Sequence, residues 1–198
     1  MLELFVKAGF IKWPLLLLSL VALAVFIEKW MALARVQHRN NQLISRLKPL
    51  IRTGGRETFV SFISGSEGPL ANALLASLNK PTREARTRAI EDAVEIEIFY
   101  LESKLGLLAT IASVGPLLGF LGTVIGIIQA FQKIEMAGGS VNPSVLAGGI
   151  WEALLGSAGG LFIGIPTIFA YNFLLHKIER IVNDMKAFGL DAVEFLSH

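Results

Sequence analysis

The chain contains no cysteine, which excludes a disulfide framework, a thiol nucleophile, a cysteine zinc site and an iron–sulfur cluster. It also has no Walker loop, no dinucleotide-binding fingerprint and no nucleophile elbow. Its three histidines, His38, His176 and His198, are too dispersed to indicate a metal site. We therefore expect no catalytic residue, no metal and no cofactor, and a function other than enzyme catalysis.

Charged residues are scarce. They make up 17% of the 198 residues, whereas 53% are hydrophobic and the mean hydropathy is +0.59. A soluble domain of this size could not bury so much apolar surface, so lipid must cover part of it. The largest group of charges, between positions 28 and 104, mixes twelve basic with nine acidic residues. That mixture argues against nucleic-acid binding.

Three apolar runs are long enough for a bilayer, which takes ~20 helical residues. They cover residues 8–27, interrupted by Lys12, residues 105–132 and residues 153–175. The first run could be a signal peptide, but its cleavage site is poor, and Glu28, Lys29 and Trp30 follow where a membrane helix should surface. We expect a retained helix. The sequence thus predicts an all-α integral membrane protein with three transmembrane helices.

Basic residues predict the orientation of these helices. Twelve lie between positions 28 and 104, whereas the loop after the second run has Lys133 alone. The positive-inside rule then places the large segment and the C-terminal tail in the cytoplasm, and the N-terminus and the short loop outside. The predicted segments are an outer end and first membrane helix (1–30), a cytoplasmic helical segment (31–104), the second membrane helix (105–132), an outer loop containing Gly138 and Gly139 (133–151), the third membrane helix (152–176) and a cytoplasmic C-terminal helix (177–198).

The second and third membrane helices are each predicted to extend into the cytoplasm. Gly54-Gly55 and residues 65–69 are breaks, and Pro81-Thr82 is a helix start. Beyond that start, apolar residues recur at three- and four-residue spacing into the second run, which predicts one continuous helix. These residues are Ile90, Val94, Ile98, Leu101, Leu105 and Leu108. The same spacing continues past the third run, at Ile178, Ile181, Val182, Met185 and Phe188.

Glycines recur in the second and third runs at spacings that let helix backbones approach closely in lipid. We expect these two helices to pack tightly, and the open question is whether part of the small face meets another subunit. The residues predicted for helix packing are Gly115, Gly119, Gly122, Gly126, Gly156, Gly160 and Gly164.

Hydroxyl groups lie on the same small faces. Thr123 shares its face with Gly119, and Ser157 and Thr167 share theirs with Gly160. Such a mildly polar stripe could line a pore or receive a partner helix, although membrane hydroxyls often bond to their own carbonyls, so both interpretations stay open. Glu152 marks the outer end of the third helix, as an interface residue or as a site of cation entry.

No ionisable residue lies near the middle of any of the three runs. Proton- and ion-driven membrane machines normally carry one at membrane depth. Either this chain moves no ions, or a partner supplies the carboxylate.

The glycine and hydroxyl motifs resemble those of the ExbB/TolQ/MotA family. The resemblance is carried by positions 115–127 (GPLLGFLGTVIGI), 152–161 (EALLGSAGGL) and 165–167 (IPT). The opening positions 13–16 (WPLL) and 27–30 (IEKW) look like the first helix of the ExbB branch. The order of motifs, the three spans and the charged cytoplasmic segment match over nearly the whole chain.

The resemblance implies a location, partners and site residues. The membrane is then the bacterial inner membrane, with the N-terminus in the periplasm and the C-terminus in the cytoplasm. The chain is expected to form a homo-oligomer, a pentamer by family analogy, around an ExbD- or TolR-like single-span dimer that supplies an intramembrane Asp. A TonB-like protein could complete the complex. By motif, the ion-pathway residues are Thr123, Ser157, Thr167 and Glu152.

The function expected from these features is that of a channel or stator subunit of an ion-driven motor. Ion flow would drive mechanical work for envelope transport of the TonB type. One alternative is a structural membrane scaffold that conducts no ions, and another is a TolQ-like subunit for envelope integrity. Neither the coupling ion nor the branch follows from the residues.

Overall fold

A computed structural model describes residues 11–53, 55–136 and 143–197 as a series of helices. They are α1 (Lys12–Thr53), α2 (Arg56–Ser64), α3 (Pro69–Leu78), α4 (Arg83–Glu102), α5 (Leu105–Met136) and α6 (Pro143–Ser197). No strand occurs in these three ranges. Helices α1, α5 and α6 contain segments long and apolar enough to cross a membrane. The prediction of an all-α fold with three transmembrane helices is confirmed. The Gly138-Gly139 turn lies outside the described residues.

The described residues form two compact units. The first, here the apolar unit, takes its residues from Met1–Ile27 and Lys104–Asn172. The second, here the polar unit, takes its residues from Glu28–Ser103 and Phe173–His198. Most of the predicted loop 133–151 is helical, because α5 runs on to Met136 and α6 already begins at Pro143.

Local sequence explains where the short helices of the polar unit begin and end. Gly65 ends α2, and Gly68 precedes α3 with a φ of 131°, a conformation that only glycine adopts easily. Pro69 follows at the first helical position, where its missing N–H leaves no bond unmade. Thr82 caps α4, since its hydroxyl oxygen accepts a hydrogen bond of 3.2 Å from the Ala85 amide.

The prediction of one continuous helix from the polar segment into the second membrane helix is wrong. Helix α4 ends at Glu102 and α5 begins at Leu105, with Lys104 between them at a φ of 68°. The Ser103 hydroxyl donates to the Tyr100 carbonyl at 2.7 Å, which a continuous helix would pair with an amide four residues on. Helix α6, in contrast, continues unbroken to Ser197, as the apolar spacing predicts.

A buried lysine from α1 binds the C-terminal end of α4. The ammonium group of Lys29, a residue only 7% exposed, donates to the carbonyls of Leu101 at 3.1 Å and Tyr100 at 3.3 Å, and to the Ser103 hydroxyl at 2.9 Å. The last carbonyls of a helix have no helical partner and carry partial negative charge. They therefore compensate the cation for part of the hydration that it loses on burial.

Aromatic contacts hold α1 to α6 in the polar unit. Trp30 stacks on Phe173 with ring centroids 4.9 Å apart, and the Lys177 ammonium lies 4.8 Å from the centre of the Trp30 ring. Further from Trp30, α1 and α6 line a common shallow groove at Ile51 and Phe188. Helix α4 also packs on α6, because Ile90 lies against Gly189. Both α1 and α4 therefore run along α6.

In the apolar unit, α5 and α6 meet backbone to backbone. A Cβ atom built on Gly160 would lie 2.5 Å from the Gly115 carbonyl oxygen and 2.8 Å from the Gly119 Cα. One built on Gly119 would lie 2.9 Å from the Gly156 carbonyl oxygen. Because the obstructing atoms are backbone, the helices would have to separate to admit any side chain at these two positions.

The other predicted packing glycines have different neighbours. A Cβ on Gly164 would lie 2.6 Å from the Pro116 ring, and one on Gly126 would lie 2.7 Å from the Ala153 Cβ. Gly122 takes part in two contacts, since its Cα lies 3.9 Å from a Cβ built on Gly156 and its own built Cβ would lie 3.3 Å from the Ile11 side chain.

We expect Gly160→Ala to lower the free energy of unfolding by about 1–3 kcal/mol, the usual effect of overpacking a close contact. Gly148→Ala is the matched control on the same helix, because nothing lies within 4 Å of its built Cβ and alanine is the better helix former. Unfolding in mixed detergent micelles measures both. Equal stability of the two variants would contradict the backbone contact.

We expect Lys29→Met to loosen the end of α4, because the variant keeps the aliphatic stem but removes the lysine donor from the Leu101 carbonyl and leaves the Tyr100 carbonyl with the Ser103 hydroxyl alone. Losing such a partner costs about 1–3 kcal/mol. Amide hydrogen exchange should accelerate in the last turn of α4. Lys48→Met, at an exposed position of the same helix, should leave this exchange unchanged. Unaltered exchange in Lys29→Met would exclude the capping role.

Candidate functional site

Two hydroxyl groups meet in the contact between α5 and α6. The Thr123 hydroxyl and the Ser157 hydroxyl are hydrogen-bonded to each other, and either can be the donor. Both residues are half-buried. Gly119 and Gly156, which bring the two backbones together, lie one turn before Thr123 and directly before Ser157. The close glycine contact therefore positions the pair.

The two hydroxyls have more acceptors in reach than protons to give. Thr123 lies 3.4 Å from the carbonyl oxygens of both Gly119 and Ala153, and Ser157 lies 3.2 Å from that of Gly119. Each hydroxyl carries one proton and two lone pairs, and it can rotate between partners. The pair can therefore donate a hydrogen bond to a third group or accept one from it. In either case at least one hydroxyl proton stays bonded within the helix contact.

The other two predicted ion-pathway residues lie apart from this pair. Thr167 is 6% exposed, and its hydroxyl donates to the Ile163 carbonyl of its own helix at 2.7 Å. Along α6 it follows Ser157 by ten residues, about 15 Å of helix. Glu152 is exposed and precedes Ser157 by five residues. The structure thus brings together Thr123 and Ser157 and leaves Thr167 and Glu152 on either side of them along α6.

The two helices that carry the hydroxyl pair have long segments without formal charge. Residues 105–132 of α5 and 153–175 of α6 contain no Asp, Glu, Lys or Arg. Two other hydroxyls of α5, on Thr110 and Ser113, are exposed and donate to carbonyls of their own helix, Gly106 and Ala109. They lack the cross-helix partners of Thr123.

Sequence reasoning missed the continuation of the small-residue contact before Glu152. A Cβ built on Gly149 would lie 3.0 Å from the Ala130 Cβ, so α5 and α6 remain close there. The signal was present, since Gly149, Ala153, Gly156, Gly160 and Gly164 keep the three- and four-residue spacing. The predicted third membrane helix begins at position 152, whereas α6 begins at Pro143 and carries the contact further.

Comparison with known proteins finds several relatives, which are named as ExbB, ExbB-like or TolQ proteins. An ExbB-like biopolymer transport protein of Synechocystis sp., ExbB-like 3, is 31% identical over 167 residues, 83% of this chain and 80% of its own. The biopolymer transport protein ExbB of Xanthomonas campestris is 37% identical over 133 residues, 67% of this chain and 50% of its own. The Tol-Pal system protein TolQ of Haemophilus influenzae is 42% identical over 97 residues, 49% of this chain and 42% of its own. The chain thus spans about half the length of that ExbB, or less for that TolQ.

Residues 65–187 match the model of a protein family described as the MotA/TolQ/ExbB proton channel family. This range includes all of α5 and the part of α6 that carries Ser157 and the packing glycines. The relatives named ExbB agree with the branch to which the opening motifs point. The chain belongs to the MotA/TolQ/ExbB proton channel family.

Proposed function

We propose that this chain is the channel subunit of a proton-motive-force-driven motor in the bacterial inner membrane, working in envelope transport of the ExbB type. The observation that carries the proposal is the Thr123–Ser157 hydroxyl pair, held between two uncharged, closely packed helices. Membership of a proton channel family supports it, as does the name of the ExbB relatives, biopolymer transport protein. The TolQ relative keeps a role in envelope integrity as the alternative.

The missing charge defines the partner that this function needs. A proton path requires a group that binds and releases the proton, and α5 and α6 contain no such carboxyl in their apolar segments. We infer that a single-span dimer of the ExbD or TolR kind supplies an intramembrane Asp, and that several copies of this chain, five by family analogy, surround it. A TonB-like protein would carry the work to the outer membrane.

The hydroxyl pair suits both states of such a carboxyl. A charged carboxylate accepts hydrogen bonds only, whereas a neutral carboxyl also donates one, and a hydroxyl can complement either. In a low-dielectric site an unmatched polar group is costly, so this versatility lowers the barrier to the change of protonation state. Glu152 and Thr167, on either side of the pair along α6, complete the proposed path.

We expect Thr123→Val to lower ion-driven activity by about five- to 150-fold, because an unmatched buried polar group costs about 1–3 kcal/mol and each 1.4 kcal/mol is about tenfold. Valine keeps the shape of threonine, so expression and membrane insertion should not change. Ser157→Ala should impair activity in the same direction. Proton flux into vesicles containing the chain and its single-span partner measures the effect.

Thr110→Val and Ser113→Ala are the matched controls, since their hydroxyls bond only to their own helix. They should retain full flux. If Thr123→Val and Ser157→Ala also retain it, the hydroxyl-lined path is wrong. The result would then favour a structural scaffold, in which these hydroxyls serve packing alone.

We also expect residue 139 to face the periplasm and residue 45 to face the cytoplasm, as the positive-inside rule indicates. The native chain has no cysteine, so single cysteines can be labelled without background. In intact cells an impermeant thiol reagent should label Gly139→Cys and leave Ser45→Cys unlabelled until lysis. The reverse pattern would invert the proposed orientation.

A further inference from the structure

The polar unit carries opposite charges on two of its helices. Between positions 31 and 53, α1 has no acidic residue, and Arg35 and Arg39 are exposed on one face of it. Between positions 90 and 102, α4 has no basic residue, and Glu91 and Glu95 are exposed on one face of it. We call Arg35 with Arg39 the basic row, and Glu91 with Glu95 the acidic row.

The Lys29 contact puts the two rows at the same height in the unit. Lys29 bonds to the Leu101 carbonyl, and from this contact α1 runs forward and α4 runs backward along α6. Arg35 is six residues after Lys29, and Glu95 is six before Leu101, about 9 Å in each helix. Arg39 and Glu91 are both ten residues away, about 15 Å. Each arginine therefore has a glutamate at its own level.

The matching charges do not pair within the chain. Over the residues that the structure describes, no ion pair joins the basic row to the acidic row, and all four side chains are exposed. All four charged groups are therefore available to another molecule, and each arginine has a glutamate at its own height.

We propose that the basic row of one copy of this chain docks on the acidic row of the next copy in a ring. The inference rests on the homo-oligomer of the proposed function. In a ring whose axis runs parallel to the helices of the polar unit, the rotation from one copy to the next changes the direction of a residue but not its height. Rows of opposite charge at equal height can therefore meet at each joint of such a ring, which is a heterologous contact that closes.

Apolar side chains beside the acidic row provide the apolar contact area that a stable interface needs in addition to charges. Exposed ion pairs stabilise a contact only weakly, and stable interfaces have an apolar centre inside a polar rim. Phe99, one turn beyond Glu95 on the same face, is 77% exposed, and nearby Ile96 is 59% exposed. A neighbouring copy would cover these side chains while the charges set its height.

The test is a thiol crosslink in the full-length chain, purified with its oligomer intact. The double variant Arg39→Cys, Glu91→Cys should, with a short bifunctional thiol reagent, give a ladder of linked copies on a denaturing gel. Lys48→Cys with Glu91→Cys is the matched control. Lys48 is exposed, but it follows Arg39 by nine residues and so points to the opposite side of α1. This double variant should give no ladder.

A charge test complements the crosslink. Adding Arg35→Glu to the double-cysteine variant should lower the yield of linked copies at least threefold, because Glu95 then faces a like charge. Adding Glu95→Arg in the same chain should restore the yield. Failure of this restoration, in a protein that still forms its oligomer, would overturn the pairing.

Native mass spectrometry before crosslinking separates the remaining outcomes. An intact oligomer without a ladder, or with crosslinks only inside single chains, overturns the docking proposal but leaves the oligomer standing. The two rows would then bind something other than a second copy, such as anionic lipid headgroups or a partner protein. Monomers alone, before any crosslinking, would overturn both the docking and the homo-oligomer of the proposed function.

Discussion

The close approach of α5 and α6 depends on backbone atoms touching backbone atoms, which glycine alone permits. Helices in lipid gain little from hiding apolar side chains from one another, so van der Waals contact and hydrogen bonds must hold them together. Gly160 against the Gly115 carbonyl and Gly119 against the Gly156 carbonyl provide that contact. Thr123 and Ser157 reach each other only because the two axes come this near.

The Thr123–Ser157 hydroxyl pair is thus an uncharged polar group between two apolar helix segments. Two hydroxyls with adjustable protons complement a titrating group, but they do not titrate at neutral pH themselves. In the proposed motor, the titrating group therefore comes from another subunit. The polar unit shows the opposite arrangement, since it exposes charges in rows and buries one cation, Lys29, against the carbonyls of α4. In the proposed motor, the apolar unit provides the ion path and the charge rows of the polar unit provide the contacts between copies.

The three membrane helices and most of the glycine contact could be predicted from sequence, because run length, charge gaps and three- and four-residue spacing are local properties. Spacing shows which residues share a face but not which helix meets that face. Gly122, for example, lies near α6, with its Cα 3.9 Å from a Cβ built on Gly156, but its own built Cβ meets Ile11, a contact that spacing does not report. The break after Glu102 escaped prediction for a related reason. It involves Lys29, 72 residues from Leu101 in the chain, and no local pattern reports so distant a hydrogen bond.

Pro116 and Gly164 face each other across α5 and α6. Pro116 has no N–H to give to the Ala112 carbonyl, whose oxygen lies 3.1 Å from a Cβ built on Gly164, while the proline ring lies 2.6 Å from it. Both the ring and the carbonyl thus occupy the space of a side chain at position 164. Substitutions at the two positions are consequently not independent, and their effects on stability should be non-additive. Loss of the ring at 116 would relieve the closer of the two contacts, so a side chain at 164 costs less if position 116 changes first, and the order of substitution restricts the mutational paths open to this helix pair.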